Sequence, residues 1–386
     1  MDNYYTLLIF YLAAFGLAMA LSSLFTLYSI RISHRFGFLD HPDDRKAHGH
    51  PMPYLGGVAI FMAFWGVVFL GLAVAHLMPS GRSGLPGVAA GAVFLTPKIL
   101  GIFLGSLLIL FVGFVDDKYA LAPLKKLLGQ VAAALILMRM GFMINLVSGL
   151  GFEGYVVTFI WILLIMNAFN FIDSLDGHCA GIALLSSLMF FWITQIIGQP
   201  LVGLFLLAFA GALAGFLPHN FKPAKVFLGD NGSLFIGYLM AAITLLCKYQ
   251  TQGRFDLATT FIPALIFGVP IYDTLSVIVV RLKRGTVPWK GDRNHFAHRL
   301  VKMGMSERVA VVFSYFIAVT IGLVAILATQ VTFFGAVLIF LIFLSILGVI
   351  AFLEFYATKR QRIMEELAKR HRRRREDILD AEEKEF

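Results

Sequence analysis

Charge is what this chain has least of. Only 14% of its 386 residues are charged, against 59% hydrophobic, and the mean hydropathy is +0.82. Soluble globules carry about 25% charged and about 45–50% apolar residues. The shortage excludes a water-soluble enzyme and a disordered chain alike. Cysteine is scarcer still. Cys179 and Cys247 stand alone in apolar surroundings, so there is no disulfide framework. The short alternating segments of a membrane β-barrel are missing too. The first apolar stretch has no basic leader and is too long for a cleavable signal, so it reads as an uncleaved span.

What is present is a series of long apolar runs. About 20 residues cross a hydrocarbon core about 30 Å thick. Uncharged runs at 3–30, 54–81, 99–115, 154–172 and 231–247 each supply one helix. Residues 127–147 supply another, interrupted only by Arg139 near one end, where the side chain can snorkel. Residues 257–280 supply one that carries Asp273. Two runs, 177–221 and 309–353, are too long for one crossing and divide at Gly198-Gln199-Pro200 and near Gln330. The expectation is an all-α, polytopic integral membrane protein of about eleven transmembrane helices, spanning 1–356, with a charged tail at 357–386.

Lysine and arginine set the orientation. With the N-terminus outside, the loops 31–53, 116–126, 222–230 and 281–308 and the tail are cytoplasmic, and they hold 27 of the 32 basic residues. The net charge of +9 is therefore a topology signal, and no nucleic-acid partner is expected. In the tail, the basic run Lys369–Arg375 lies near anionic headgroups or simply adds to that signal. Acids hardly influence topology. Yet Asp40, Asp43, Asp44, Asp116, Asp117, Asp173, Asp176, Asp230, Asp273, Asp292 and Glu307 all fall on the same side, which points to a common site there.

The loops supply candidates for that site. Asp116 and Asp117 end the third helix, with Lys126 and Gln130 beyond; the acid pair reads as a cation site, a base facing a phosphate, or a solvated helix end. Asn167, Asn170, Asp173 and Asp176 recur every three residues and form one drifting stripe on a helix. Asp176 alone could cap the sixth helix, but four polar side chains after an apolar span point to a cavity or partner. Gly229-Asp230-Asn231-Gly232 opens the eighth helix, where free N–H groups suit a phosphate. Asp230 is read there as a ligand for Mg²⁺, which prefers carboxylate, amide and phosphate oxygens, with an N-cap as the plainer role. Arg45-Lys46-Ala47-His48 precedes Pro51-Met52-Pro53 and Gly56-Gly57. In the last loop, Asp292-Arg293-Asn294-His295 and His298-Arg299 suit an anion or pyrophosphate clamp. Zinc is not expected at His295 and His298, since no cysteine or further histidine pair supports it. Asp273, about 12 Å below the boundary if helical, reads either as part of the site or, the slightly preferred reading, as a buried helix–helix contact.

Read in order, these motifs resemble the polyprenyl-phosphate N-acetylhexosamine-1-phosphate transferases over residues 40–300. Lys46 and His48 with Pro51-Met52-Pro53 are similar to the branch that initiates teichoic acids and O-antigens. The resemblance implies a catalytic transmembrane domain in the bacterial inner membrane, with its active site facing the cytoplasm. It implies Asp116 and Asp117 by the lipid phosphate, and Asn170 and Asp230 holding Mg²⁺, with Mn²⁺ as the alternative. Asp173 and Asp176 would line the uridine side, with Asn167 also on the substrate. Lys46, His48, Lys126, His295, His298 and Arg299 would contact phosphates or the sugar. The implied partners are polyprenyl phosphate, a UDP-sugar and a second copy of the chain. Three positions depart from the family: Ser174 for glycine, His178 for leucine, and Ala297 for a histidine in the loop that helps choose the sugar.

The implied reaction starts a cell-envelope polysaccharide such as lipopolysaccharide. A polyprenyl-phosphate oxygen attacks the β-phosphorus of a UDP-N-acetylhexosamine, UDP-N-acetylglucosamine first, and UMP leaves. Another UDP-N-acetylhexosamine and UDP-MurNAc-pentapeptide are the alternatives. Direct displacement is expected, with a covalent aspartyl intermediate as the competitor. The rival of a different class is an ion-coupled secondary transporter, whose acids would sit near the midplane.

Overall fold

The computed structural model describes residues 2–41, 50–77, 86–144, 151–247, 249, 261–287, 294–331, 334–353 and 355–356. Among the described residues the structure is predominantly helical. Helices α1 (Asp2–Phe36), α2 (Gly56–Leu77), α3 (Pro86–Tyr119), α4 (Pro123–Arg139) and α5 (Phe152–Ile172) come first. Then follow α6 (His178–Ile196), α7 (Pro200–Asn220), α8 (Gly229–Leu246), α9 (Ile262–Ile266) and α10 (Gly268–Lys283). The described chain closes with α11 (Phe296–Lys302), α12 (Glu307–Ala328) and α13 (Phe334–Leu353). Between α1 and α2, β1 (Leu39–Asp40) pairs antiparallel with β2 (Met52–Pro53), Leu39 opposite Pro53.

Eight helices among the described residues are long and apolar enough to cross a membrane: α1, α2, α3 from Thr96, α5, α6, α7, α12 and α13. This is a polytopic, multi-pass architecture. The other three expected spans fall short for identifiable reasons. Helix α4 has 17 residues. Helix α8 opens on Gly-Asp-Asn-Gly-Ser, which lowers its hydropathy. The expected helix over 257–280 is broken at Phe267 into α9 and α10, with residues 250–260 outside the described set. Pro270 explains the break: it offers no N–H to Ile266, and its ring crowds that carbonyl. One smaller expectation is also corrected. Helix α3 begins at Pro86, not 99, so Lys98 lies inside it, with its ammonium 5.4 Å from the Phe142 ring centroid. The tail, 357–386, lies outside the described residues.

Helix α8 is the centre of the bundle. Every residue from Asn231 to Thr244 is buried, packed among α2, α3, α5 and α6. A helix apolar all round belongs in such a core. Its start, Gly229-Asp230, is the end that escapes full burial.

A second contact explains how the long α1 is held. Ala18, Ser22, Thr26, Ser29 and Ser33 form a buried small and hydroxyl stripe at helical spacing. Opposite them, α7 presents Gly211 and Gly215. A Cβ on Gly211 would lie 2.2 Å from the Phe15 carbonyl oxygen, and one on Gly215 would lie 2.1 Å from that of Met19. One turn on, Ser23 Oγ lies 3.0 Å from His219 Nε2. Both chains advance by four residues per step, so α1 and α7 run parallel with backbones in contact, as small-residue pairs allow in membranes.

That close approach is testable. Gly215→Leu should cost about 1–3 kcal/mol through overpacking, read as a lower melting temperature in detergent. Gly16→Leu, where nothing lies within 4 Å, should leave melting unchanged. Equal melting of the two variants would contradict the α1–α7 contact.

Candidate functional site

Helices that run in alternating directions bring every second connection to one end of the bundle. There Asp117 from α3 meets the start of α8, Lys126 from α4 meets Asn170 from α5, and the Gly177 N–H donates to Asn220 at the end of α7. Lys222 pairs with Glu307 at the start of α12. The acids of four separate loops are thereby gathered on one side.

Asp117 does something sequence alone did not reveal. Its Oδ1 accepts the backbone N–H of Asp230 at 2.7 Å, and its Oδ2 accepts that of Asn231 at 3.0 Å and the Asn231 side-chain amide at 2.6 Å. A carboxylate from α3 thus caps α8, meeting both the unsatisfied N–H groups and the positive end of the dipole. Gly113 permits the approach, since a Cβ there would lie 2.4 Å from Asn231 Cα. Two expectations are corrected here. The α8 N–H groups of Asp230 and Asn231 hold Asp117, not a phosphate. Asp230 is not an N-cap: Leu228 holds that position without a side-chain cap bond.

Beside the cap, four polar side chains converge. The Lys126 ammonium lies 2.8 Å from Asp116 Oδ2, 2.8 Å from Asp230 Oδ1 and 3.2 Å from Asn170 Oδ1. The Asn170 amide donates to Asp230 Oδ1 and, at 2.9 Å, to Ser233 Oγ. Asp116 Oδ1 accepts the Leu121 N–H at 2.8 Å. Asp230 is the most open of these carboxylates, its side chain 34% exposed against 9% for Asp116.

Among the described residues, no group of three His, Cys, Asp or Glu side chains is arranged to hold a metal. The donor set is instead two carboxylates and one amide, all oxygens directed at one cation. That is hard-cation chemistry, in which Mg²⁺ keeps several waters and shares substrate oxygens. Asn170 and Asp230 therefore fit the metal role expected of them, and Asp116 joins them.

The remaining expected residues separate. Asp173, partly buried at the end of α5, is held well above the ordinary carboxylate value of 3.8 by burial and then by Asp230, Asp117 and Asp176. Asp176 does not cap α6, whose N-cap is the left-handed Gly177; its Oδ2 accepts the Ala224 N–H at 3.3 Å. Asn167 turns inward. Its amide exchanges hydrogen bonds with Gln130 at 2.8 and 3.2 Å, so it braces α4 against α5. Lys46, His48, Asp292 and Arg293 lie outside the described residues.

A second cluster adjoins the end of α5. His295 donates from Nδ1 to Asp273 Oδ2 at 2.8 Å, and the Phe296 N–H donates to the other oxygen. Asp273 is a buried contact, as expected, but it pins the loop before α11 and joins no two spanning helices. Arg299 donates to the Asn294 carbonyl and to Ser276 Oγ, each at 2.7 Å. Arg281, buried at 2% exposure, lies over the Phe171 ring, which also meets His295. His298 and Ala297 stand on α11, Ala297 fully buried. Sequence reasoning missed Ser233, Asn231 and Arg281. Ser233 and Asn231 sat in the glycine-rich turn, while Arg281 reads in sequence as one more loop cation.

Comparison with known proteins gives a consistent picture. The family described as "Glycosyl transferase family 4" matches residues 99–248, which include Asp116, Asp117, Lys126, Asn170, Asp173, Asp176 and Asp230. A Bacillus subtilis protein named "Probable undecaprenyl-phosphate N-acetylglucosaminyl 1-phosphate transferase" is 32% identical, covering 83% of this chain and 86% of its own. The Mycobacterium tuberculosis decaprenyl-phosphate N-acetylglucosaminephosphotransferase is also 32% identical, over 84% and 83%. An Escherichia coli undecaprenyl-phosphate alpha-N-acetylglucosaminyl 1-phosphate transferase is 24% identical, over 92% and 94%.

Two variants test the electrostatics. Asp117→Ala strips three hydrogen bonds from one carboxylate and should cost on the order of 3–5 kcal/mol. Asp173→Asn should act in the opposite sense. The raised value means that the fold favours protonated Asp173, so its contribution to stability is lost as pH rises above 3.8. The variant should therefore melt less pH-dependently than the parent between pH 5 and 8. An unchanged slope would contradict the crowding of Asp173 by its neighbouring acids.

Proposed function

The chain belongs to glycosyl transferase family 4, and from that premise we propose that it is a membrane-embedded sugar-phosphate transferase. It moves N-acetylglucosamine 1-phosphate from UDP-N-acetylglucosamine to undecaprenyl phosphate or a related polyprenyl phosphate, releasing UMP. The observation that carries this reading is the convergence of Asp116, Asn170 and Asp230 on the Lys126 ammonium at a helix-bundle end. The names of its relatives support the sugar and the lipid.

The acceptor's chain is apolar and its head is charged, which suits a site at the boundary between bilayer and water. The 27-to-5 division of basic residues supports the cytoplasm as that watery side, the N-terminus outside, and eleven crossings once α4, α8 and the α9–α10 pair are included. In a bacterium this is the inner membrane.

Phosphoryl transfer needs positioning and charge neutralisation more than covalent help. Bound Mg²⁺ would supply charge neutralisation for the nucleotide phosphates, held by Asn170, Asp230 and Asp116. Lys126 supplies a cation to a phosphate. Asp173 and Asp176 border the same space, on the uridine side, and His295, His298 and Arg299 serve the sugar and pyrophosphate. Asp117 faces α8 with both oxygens, so its role is to hold Asp230 in place; a bare carboxylate would repel a lipid phosphate. No general base is required, because a phosphate monoester with a second pKa of about 6 is largely dianionic at neutral pH.

Membranes given labelled UDP-N-acetylglucosamine, Mg²⁺ and undecaprenyl phosphate should form a chloroform-soluble labelled product, lost with EDTA. Asp230→Asn should slow its formation at least about 100-fold, the usual scale for removing a charge-stabilising group. Absence of any metal-dependent lipid product would refute the reading. Labelled UMP should not exchange into the UDP-sugar when lipid acceptor is withheld, since Asp116 and Asp117 are both engaged as acceptors and no aspartyl intermediate forms.

A further inference from the structure

Lys126 stands where a divalent ion's charge would be needed. Its three N–H donors match three oxygens, Asp116 Oδ2, Asp230 Oδ1 and Asn170 Oδ1, at 2.8, 2.8 and 3.2 Å. Asp230 Oδ1 already accepts from both Lys126 and Asn170, which uses its two lone pairs, so an ammonium group and a divalent cation compete for it. They would repel at a few ångströms, and the acceptors would be directed at one or the other. The lysine has room to leave. It lies in the first turn of α4, beside the exposed Pro123, Leu124 and Lys125, on a flexible four-carbon stem.

We infer that Lys126 and the divalent cation occupy the Asp116–Asn170–Asp230 oxygens in alternation. Without metal, Lys126 neutralises the two carboxylates and keeps the site from flying apart by repulsion. When a cation binds, Lys126 swings outward, and its charge becomes available to a substrate phosphate. The inference rests on the transferase reading only for that last destination. It has a thermodynamic consequence. Displacing Lys126 weakens metal binding to the empty protein, and a pyrophosphate that offers the lysine a new partner restores it. Metal and nucleotide therefore bind cooperatively, each raising the affinity for the other by the same factor.

Two measurements on the full chain in detergent test this, with Mn²⁺ as the probe. Free Mn²⁺ is followed by electron paramagnetic resonance. Without nucleotide, Lys126→Gln should bind Mn²⁺ at least about tenfold more tightly than the parent, within the usual span of site coupling. Adding UDP should tighten binding to the parent and not to the variant. Equal affinities, or weaker binding by the variant, would overturn the alternation. Because that variant leaves two acids without their counter-ion, the parent protein is also labelled with acetic anhydride and read by mass spectrometry. Mn²⁺ should raise acetylation of Lys126 several-fold relative to Lys125; unchanged or reduced labelling overturns the inference. Metal-dependent transfer with no change at Lys126 sinks the alternation alone. A metal-induced rise at Lys126 in a protein that transfers no sugar sinks the transferase reading alone.

Discussion

The site depends on a carboxylate reaching across from one helix to close the end of another. Helix α8 is buried along nearly its whole length, so its position is set by packing, but its first turn begins at Gly229 with a positive φ of 75° and has no side-chain cap of its own. Asp117 supplies what is missing. By taking the N–H groups of Asp230 and Asn231, it satisfies donors that would be costly to leave bare at a largely buried helix end. The same bonds determine which way Asp230 points. Asp117, expected beside the lipid phosphate, here has both oxygens engaged by the first turn of α8.

The consequence is a concentration of negative charge that the fold alone does not stabilise. Asp116, Asp117, Asp173 and Asp230 crowd one end of the bundle, and Lys126 is the cation that touches two of them. Like charges this close, in a medium of low dielectric, raise one another's proton affinity. A structural network would be expected to pair its acids one for one. An excess of oxygens, partly exposed at Asp230 and raised in proton affinity at Asp173, is instead what the proposed binding of a cation and an anionic ligand would draw on.

Much of this was legible in sequence, and the exceptions share a cause. The runs of apolar residues identified nearly every helix, because the bilayer demands length and hydrophobicity locally. The three-residue spacing from Asn170 to Asp176 placed those groups at one helix end. What could not be read were pairings between loops far apart in the chain. Asp117 looks identical to Asp116 in sequence; only the approach of α8 against Gly113 separates a capping acid from one that faces Lys126. Asn167 fits the polar stripe but is claimed by Gln130, a partner 37 residues away. The break at Phe267 was the local feature misjudged: Pro270 signalled it, and the apolar run masked the signal.

The second cluster shows why the site needs two halves. Asp273 holds His295, and Phe171 joins His295 to Arg281, so the loop before α11 is fixed to the end of α5 through aromatic and charged contacts. Phe171 neighbours Asn170 in sequence. A shift of α5 would thus move the oxygen facing Lys126 and the histidine–arginine loop together. The transfer proposed above, between a lipid head and a charged nucleotide, would require that the groups holding each keep a constant separation. Placing both on the end of one rigid span, rather than on independent loops, is how a bundle of apolar helices achieves that with so few charged residues.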